Sequence, residues 1–547
     1  MSEHADLLFT GGPVFGVSRD HREPSAVAVR RGRIVAVGAD AHQAAGPGTE
    51  TVDLAGGLLV PGFTDAHVHA VQGGLERLHC DLTAATSRED CLRAVREYAD
   101  THPDAAWVTG GGWDQALFPG GTPTARDLDT VVADRPVFLP NASHHGAWVN
   151  SRALALAGVD AATPDPPDGR VERDHDGAPT GTLHEGAMNL VARLAPGATA
   201  EEYADALLVA QEYLHSLGIT GWQDAILGRY ANIDDVGPVY LQAAQRGTLT
   251  ARVVGALWWE RDRGAEQIPE LLQRRATLRA GRFRATSVKI MQDGVPENGS
   301  AGMLEPYFDR CGCRTANRGH SYVDPVQLRR HVAALDAEGF QVHVHAIGDR
   351  AVRESLDAFE AARAANGRND HRHHIAHLQV VHPDDVARFG RLGVTANIQP
   401  LWATYEPQMV DLTIPFIGDE RAGWQYPFGG FARSGATLAA GSDWPVSSPD
   451  PLAGIHVAVN RRTPRSVGVP EDRAFLPEQA LDLETALTAY TRGSAHVNHL
   501  DDGGRIAVGA LADLAVLDRN PFAAPPEEIG DTRVVATYVH GEQVFCR

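Results

Sequence analysis

The chain has 547 residues, 43% hydrophobic and 22% charged, the composition of a protein that buries a large core rather than of a disordered or fibrous one. A net charge of −21 argues against nucleic acid or an anionic membrane surface as partner, and no apolar run approaches the roughly 20 residues a bilayer span needs. Five cysteines are too sparse for a disulfide framework. With no basic and apolar leader pattern at the start, the expected compartment is the reduced cytoplasm.

In chain order, Ala26 to Val29 and Ile34 to Val37 alternate about Arg30-Arg31-Gly32-Arg33, a hairpin pattern with glycine in its turn. The far end carries a second strand group: Leu514 to Leu517, Val534 to Val539 and Gln543 to Phe545. Neither group is long enough to be a stable sheet alone. Residues 1–60 and 500–547 are therefore expected to form one composite β-sandwich domain. The rest, 61–499, alternates buried-type strands with amphipathic helices. Strands are predicted to end near His69, Asp224, Trp258, Met291, His345, His377, Ile398 and Asp443. Helices are predicted over Glu201 to Leu217, with Leu207, Ala210, Leu214 and Leu217 on one face, and over Val326 to Ala337, stopped by Gly339. Eight such alternations imply an α/β fold, a (β/α)8 TIM barrel with its active site at the C-terminal strand ends. About 150 residues separate His69 from the next barrel strand, where a crossover needs only 10–12. An inserted subdomain is expected there, over residues 75–200.

The chemistry gathers at those strand ends. Strand side chains alternate with period two, so His67 and His69 share a face. His345, His377 and Asp443 end three further strands, and this nitrogen and oxygen donor set suits a divalent transition metal, zinc first. Lysine and arginine total 49, yet only one of them, Lys289 on the fourth predicted strand, is lysine. Arginine is never deprotonated in a protein, whereas a buried lysine amine can lose its proton and add CO2. The resulting carbamate offers two anionic oxygens, enough to bridge two metals. Competing catalytic motifs are absent: there is no G-x-S-x-G elbow, Walker lysine motif or H-E-x-x-H helix, and Cys311-x-Cys313 lacks a partner pair.

Several stretches resemble motifs of the amidohydrolase superfamily. They are Pro61-Gly62-Phe63-Thr64-Asp65-Ala66-His67-Val68-His69, His345-Ala346-Ile347-Gly348-Asp349 and Gly441-Ser442-Asp443-Trp444-Pro445. Gly112-Trp113-Asp114-Gln115, His145-Gly146-Ala147-Trp148-Val149-Asn150-Ser151 and Ala512-Asp513-Leu514 are similar, more narrowly, to its amidohydrolase-3 branch, which includes the N-substituted formamide deformylases. By position, the resemblance implies His67, His69, Lys289, His345, His377 and Asp443 as metal ligands, with Lys289 the carbamylated bridge between two zinc ions. His144-His145 stands where related sequences show a single histidine after a glycine, and His145 is assigned to the substrate. His343 reads as lying deeper, in the core or behind the ligands, and His373 and His374 as strand or loop residues. The family also implies a possible homodimer.

The mechanism expected from this set is hydrolysis of a small molecule. A bound metal lowers the pKa of its water to about 7. Asp443 would take that proton and pass it to the leaving nitrogen, because an amide anion leaves poorly. Trp113, Trp148, Trp258, Trp259, Trp402 and Trp444 are candidates for an apolar pocket. The loop from Asp293 to Asn298 is expected to cover the site, with Trp113 and Asp293 touching substrate beside His145. No strand end is rich in arginine, so a neutral amide or formamide with an apolar or aromatic N-substituent fits best. A carbamate, ester or lactone hydrolase, or a ring deaminase, is the alternative within the superfamily. A non-catalytic scaffold of the same fold is the alternative outside it.

Overall fold

Eight parallel strands form the centre of the computed structural model, which describes residues 4–17, 21–230, 233–464 and 473–547. They are β1 (Phe63–Val68), β2 (Ile219–Leu227), β3 (Arg252–Trp258), β4 (Phe283–Met291), β5 (Gln341–Ala346), β6 (His374–His377), β7 (Thr395–Ile398) and β8 (Leu438–Ala440). Each pairs with its neighbour in sequence order, from β8 round to β1. The ring closes where β8 runs out beside β1: Asp443 N donates to His67 O at 2.8 Å, and Ser442 N to Asp65 Oδ1 at 3.0 Å. This approach requires glycine at 441, where a Cβ would lie 2.6 Å from the His67 nitrogen. Six of the eight predicted strand ends fall on a barrel strand, and His69 and Asp443 lie just past the ends of β1 and β8; the fold is a (β/α)8 barrel.

The helices start and stop for local reasons. After β1 comes α1 (Ala70–Leu78). In α2 (Ala200–Ser216), Thr199 and Glu202 form a reciprocal capping box that satisfies two orphan donors. In α3 (Pro325–Ala337), Asp324 caps the nitrogens of Val326 and Gln327, and proline takes the first helical position, where no donor is needed. Their apolar faces, including Leu207, Ala210, Leu214, Leu328, Val332 and Leu335, are buried with the strand residues in one continuous core.

Three further sheets surround the barrel. Leu7–Pro13, Pro24–Arg30, Arg33–Val37 and Glu50–Asp53 make one four-stranded sheet. A second joins both ends of the chain: Leu59–Pro61 pairs antiparallel with Leu514–Leu517, which continues to Val534–Val539 and Glu542–Cys546. Phe9, Val27 and Ile34 of the first pack with Leu59, Leu514 and Tyr538 of the second in a separate cluster. Between β1 and β2 the chain builds a six-stranded sheet spanning Cys80 to Glu185, with cores of its own. All five cysteines are free thiols, and among the described residues no helix is long and apolar enough to cross a membrane.

Candidate metal centre

The strand register sets the level of each side chain at the barrel mouth. Lys289 lies opposite Trp258 on one side and His343 on the other, while His345 lies opposite Met291 and Ala376. His67 and His69 leave the end of β1, and Asp443 follows β8. His67 Nε2 stands 3.0 Å and His69 Nε2 3.1 Å from Asp443 Oδ1. His377 Nδ1 is 3.9 Å from Asp443 Oδ2, and Lys289 Nζ is 3.4 Å from His67 Nε2. The rings of His345 and His377 meet edge to face with centroids 4.3 Å apart. All six residues line one pocket of about 50 Å³, together with His144, His145, Tyr230 and Trp258.

The charge states match those a metal needs. Burial lowers the His67 imidazole to about 3, helped by the Lys289 amine, and holds His345 and His377 well below their usual range. These rings are therefore neutral, the form in which imidazole ligates. Burial also lowers Lys289 to about 7, so an uncharged amine is accessible near neutrality. Burial alone would raise Asp443, but His67 and His69 keep it ionised. Both ring nitrogens of His377 are buried without any hydrogen-bond partner; His345 Nε2 has none either, but lies 3.6 Å from Asp293 Oδ1. Buried nitrogens of this kind are costly unless something coordinates them. A donor set of imidazoles, a carboxylate and a deprotonatable amine fits divalent metal.

Several residues behind the pocket escaped the sequence analysis. Asp65, one alternation before His67, accepts from His67 N, Ser442 N and Ser442 Oγ, so it clamps β1 to β8 directly below Asp443. His343 does lie deeper: its Nε2 is 2.8 Å from His67 Nδ1, and its Nδ1 is 2.8 Å from Gln223 Oε1. His374 shares the same Gln223 oxygen, and His373 pairs with Asp336 instead. Glu185 was missed altogether. It ends a strand of the six-stranded sheet and holds His145 Nδ1 at 2.9 Å. Nothing local marks it, since 40 residues separate the two.

Two substrate assignments need correcting. Trp113 is fully buried, donates to Leu139 O and packs edge-on against Phe118 and Trp148. It is core of the six-stranded layer, as is Trp148, because the apolar faces of that layer need large side chains of their own. Asp293 is likewise buried, and its two oxygens are taken by the nitrogens of Gly302, Ile347 and Gly348. It anchors the turn after β5 behind His345. The loop that follows it does not line the pocket; it braces the neighbouring layer, with Asn298 donating to His145 O and Ser300 to Glu185. Of the other tryptophans, Trp258 lines the pocket, Trp402 stacks over His377, Trp444 packs on Tyr213, and Trp259 lies buried against His331.

Comparison with known proteins agrees with this architecture. A solved metal-dependent hydrolase from Pyrococcus furiosus superposes with a TM-score of 0.69 at 27% identity, over 94% of this chain and 99% of that one. Protein LONG AFTER FAR-RED 3 of Arabidopsis thaliana is 33% identical, covering 99% of this chain and 92% of its own. N-substituted formamide deformylase of Arthrobacter pascens is 27% identical over 99% and 98%. The amidohydrolase family model matches residues 50–545, so the chain belongs to the amidohydrolase family.

Proposed function

We propose that the chain hydrolyses the non-peptide C–N bond of a small neutral amide, of formamide type, with an apolar or aromatic group on nitrogen. The observation that carries this reading is the convergence of His67, His69, Lys289, His345, His377 and Asp443 on one buried pocket, with both ring nitrogens of His377 left without a hydrogen bond. Two zinc ions would be held by these residues. Bound metal supplies acidified water and polarises the carbonyl. Likeness to a formamide deformylase supports the bond type.

The residues then divide the work. Lys289, as its neutral amine, forms an N–C bond to CO2 and loses one proton, leaving an anionic bridge where arginine could not react. Asp443, ionised among histidines, accepts the proton of the attacking water on a carboxylate oxygen and delivers it to the departing nitrogen, which leaves as neutral amine. His145 faces the same pocket with Nδ1 committed to Glu185, so its other nitrogen is free to donate to the substrate's carbonyl oxygen.

Elemental analysis of protein purified without added metal tests the centre, beside Lys289→Arg. We expect about two zinc-like ions per chain, a dinuclear stoichiometry, and a sharp fall in the variant. One ion per chain, unchanged by the substitution, would overturn the bridge. Release of amine and formate from a panel of N-substituted formamides tests the bond; no release from any would overturn the substrate class.

A further inference from the structure

A second cavity opens on the far side of His144. It encloses about 100 Å³, twice the metal pocket, and Gln72, His144 and Tyr230 line both. Its walls are otherwise largely apolar: Leu75 from α1, Phe138 and Pro140 from the six-stranded sheet, then Met188, Ala198 and Tyr203. Its volume is about two-thirds of the roughly 150 Å³ at which an engineered apolar cavity takes up benzene, so a branched chain fits directly and a small ring enters with a slight outward shift of the walls. A recess on the other side, beside Asp224, encloses only about 20 Å³, room for about one water.

One carboxylate oxygen in this cavity has no partner. Glu76, on α1, is nine-tenths buried. Its Oε1 accepts from Gln72 Nε2 at 3.3 Å and lies 3.2 Å from His144 Nε2. Its Oε2 is buried with no hydrogen-bond partner. Burial also pushes this carboxyl up to about 8, as expected of a group awaiting a partner in apolar surroundings.

We infer that this cavity is the substrate's side pocket, and that it selects an apolar ring or branched chain carrying an amine or hydroxyl donor for Glu76. The inference rests on the hydrolase reading above, because the shared wall puts the cavity next to the metal pocket. An occupant fills the apolar space and supplies the missing hydrogen bond to Oε2; a purely hydrocarbon group does only the first.

Three probes of equal heavy-atom count separate these terms: benzylamine, benzyl alcohol and ethylbenzene. Their binding to the metal-loaded full-length protein is measured by ligand-observed NMR. We expect the two donors to bind about tenfold tighter than ethylbenzene, the ratio an ordinary hydrogen bond gives. Glu76→Leu should erase that difference and keep ethylbenzene binding. Met188→Trp, or Ala198→Phe should the first fail to fold, should abolish binding of ethylbenzene and benzyl alcohol alike. Equal affinity for all three, or affinities untouched by filling the cavity, would overturn the inference. Turnover of N-benzylformamide distinguishes the two readings. Probe binding as expected without any turnover sinks the hydrolase reading alone. Turnover whose KM is indifferent to Met188→Trp sinks the side pocket alone.

Discussion

Lys289 and the His145–Glu185 pair show how differently single residues disclose themselves. A lone lysine in a chain otherwise written with arginine is a compositional signal, and under the proposed function its reason is chemical: of the two side chains only the amine sheds its proton. Glu185 carries no such mark, yet its effect on His145 is large. Burial alone would lower that imidazole, and the carboxylate beside it raises it instead. Burial would raise Glu185, and His145 with Ser300 and Asn298 lowers it to about 2. The pair's stabilisation is therefore complete below the ordinary histidine pKa of about 6.5 and is lost as pH rises through the raised folded value. On the acid side it persists above the ordinary glutamate value and is lost as pH falls toward 2. Glu185→Gln is thus expected to destabilise more at about pH 6 than at about pH 9. Urea unfolding at the two pH values measures this; an equal loss at both would mean that the charge on His145 contributes nothing.

At the scale of elements, the period of two that paired His67 with His69 also aligns Asp65 and His343, although neither touches the pocket. Asp65 faces β8 and His343 faces β2, so their roles depend on which strands the barrel brings alongside. His343 forms the first link of a buried relay running from His67 through Gln223 to Gln341 and Asn498 at the base of the barrel. One of the two facing nitrogens of His67 and His343 donates to the other, which fixes the His67 ring with Nε2 toward Asp443. Such partners of metal-binding histidines change metal affinity by about 10–100-fold when removed. His343→Leu is expected to weaken metal retention by that order, and to cost about 1–3 kcal/mol of stability by stranding the buried His67 Nδ1, since Gln223 Oε1 keeps His374 as a partner. Competition with a chelator and urea titration read the two effects; unchanged metal retention would make the relay purely structural. Tryptophan positions taught the opposite lesson. Trp113 sits in a motif that reads as functional, but its indole is consumed by the packing of its own layer, which spacing does not reveal.

Across the whole molecule, the barrel is tied to the two terminal sheets. Leu59–Pro61 runs directly into β1 and pairs with a strand more than 450 residues away, so the C-terminal segment steadies the lead-in to His67. A largely buried ion pair reinforces the junction: Arg252 on β3, itself half-buried, reaches both oxygens of Asp513, which also accepts from His540 N. Removing one partner of such a pair leaves an uncompensated charge, so Asp513→Ala is expected to cost about 3 kcal/mol. Thermal unfolding checks this, and a loss well under half that size would show that water reaches Arg252 at the junction.

The order of alternating strands and helices, the eight strand ends and the histidines, lysine and aspartate on them were all legible in the sequence. Hydrophobic periodicity and the donor chemistry of a side chain are local properties, and parallel strands buried on both faces announce themselves as short apolar runs. The partners of those residues were not legible. Asp65 with Ser442, His145 with Glu185, Asp293 with the turn after β5 and Glu76 with His144 are contacts between segments far apart in the chain. Only closure of the barrel and docking of the six-stranded layer against it decide them, because burial and distance, rather than residue type, determine whether a carboxylate clamps a strand, charges an imidazole or waits for a ligand.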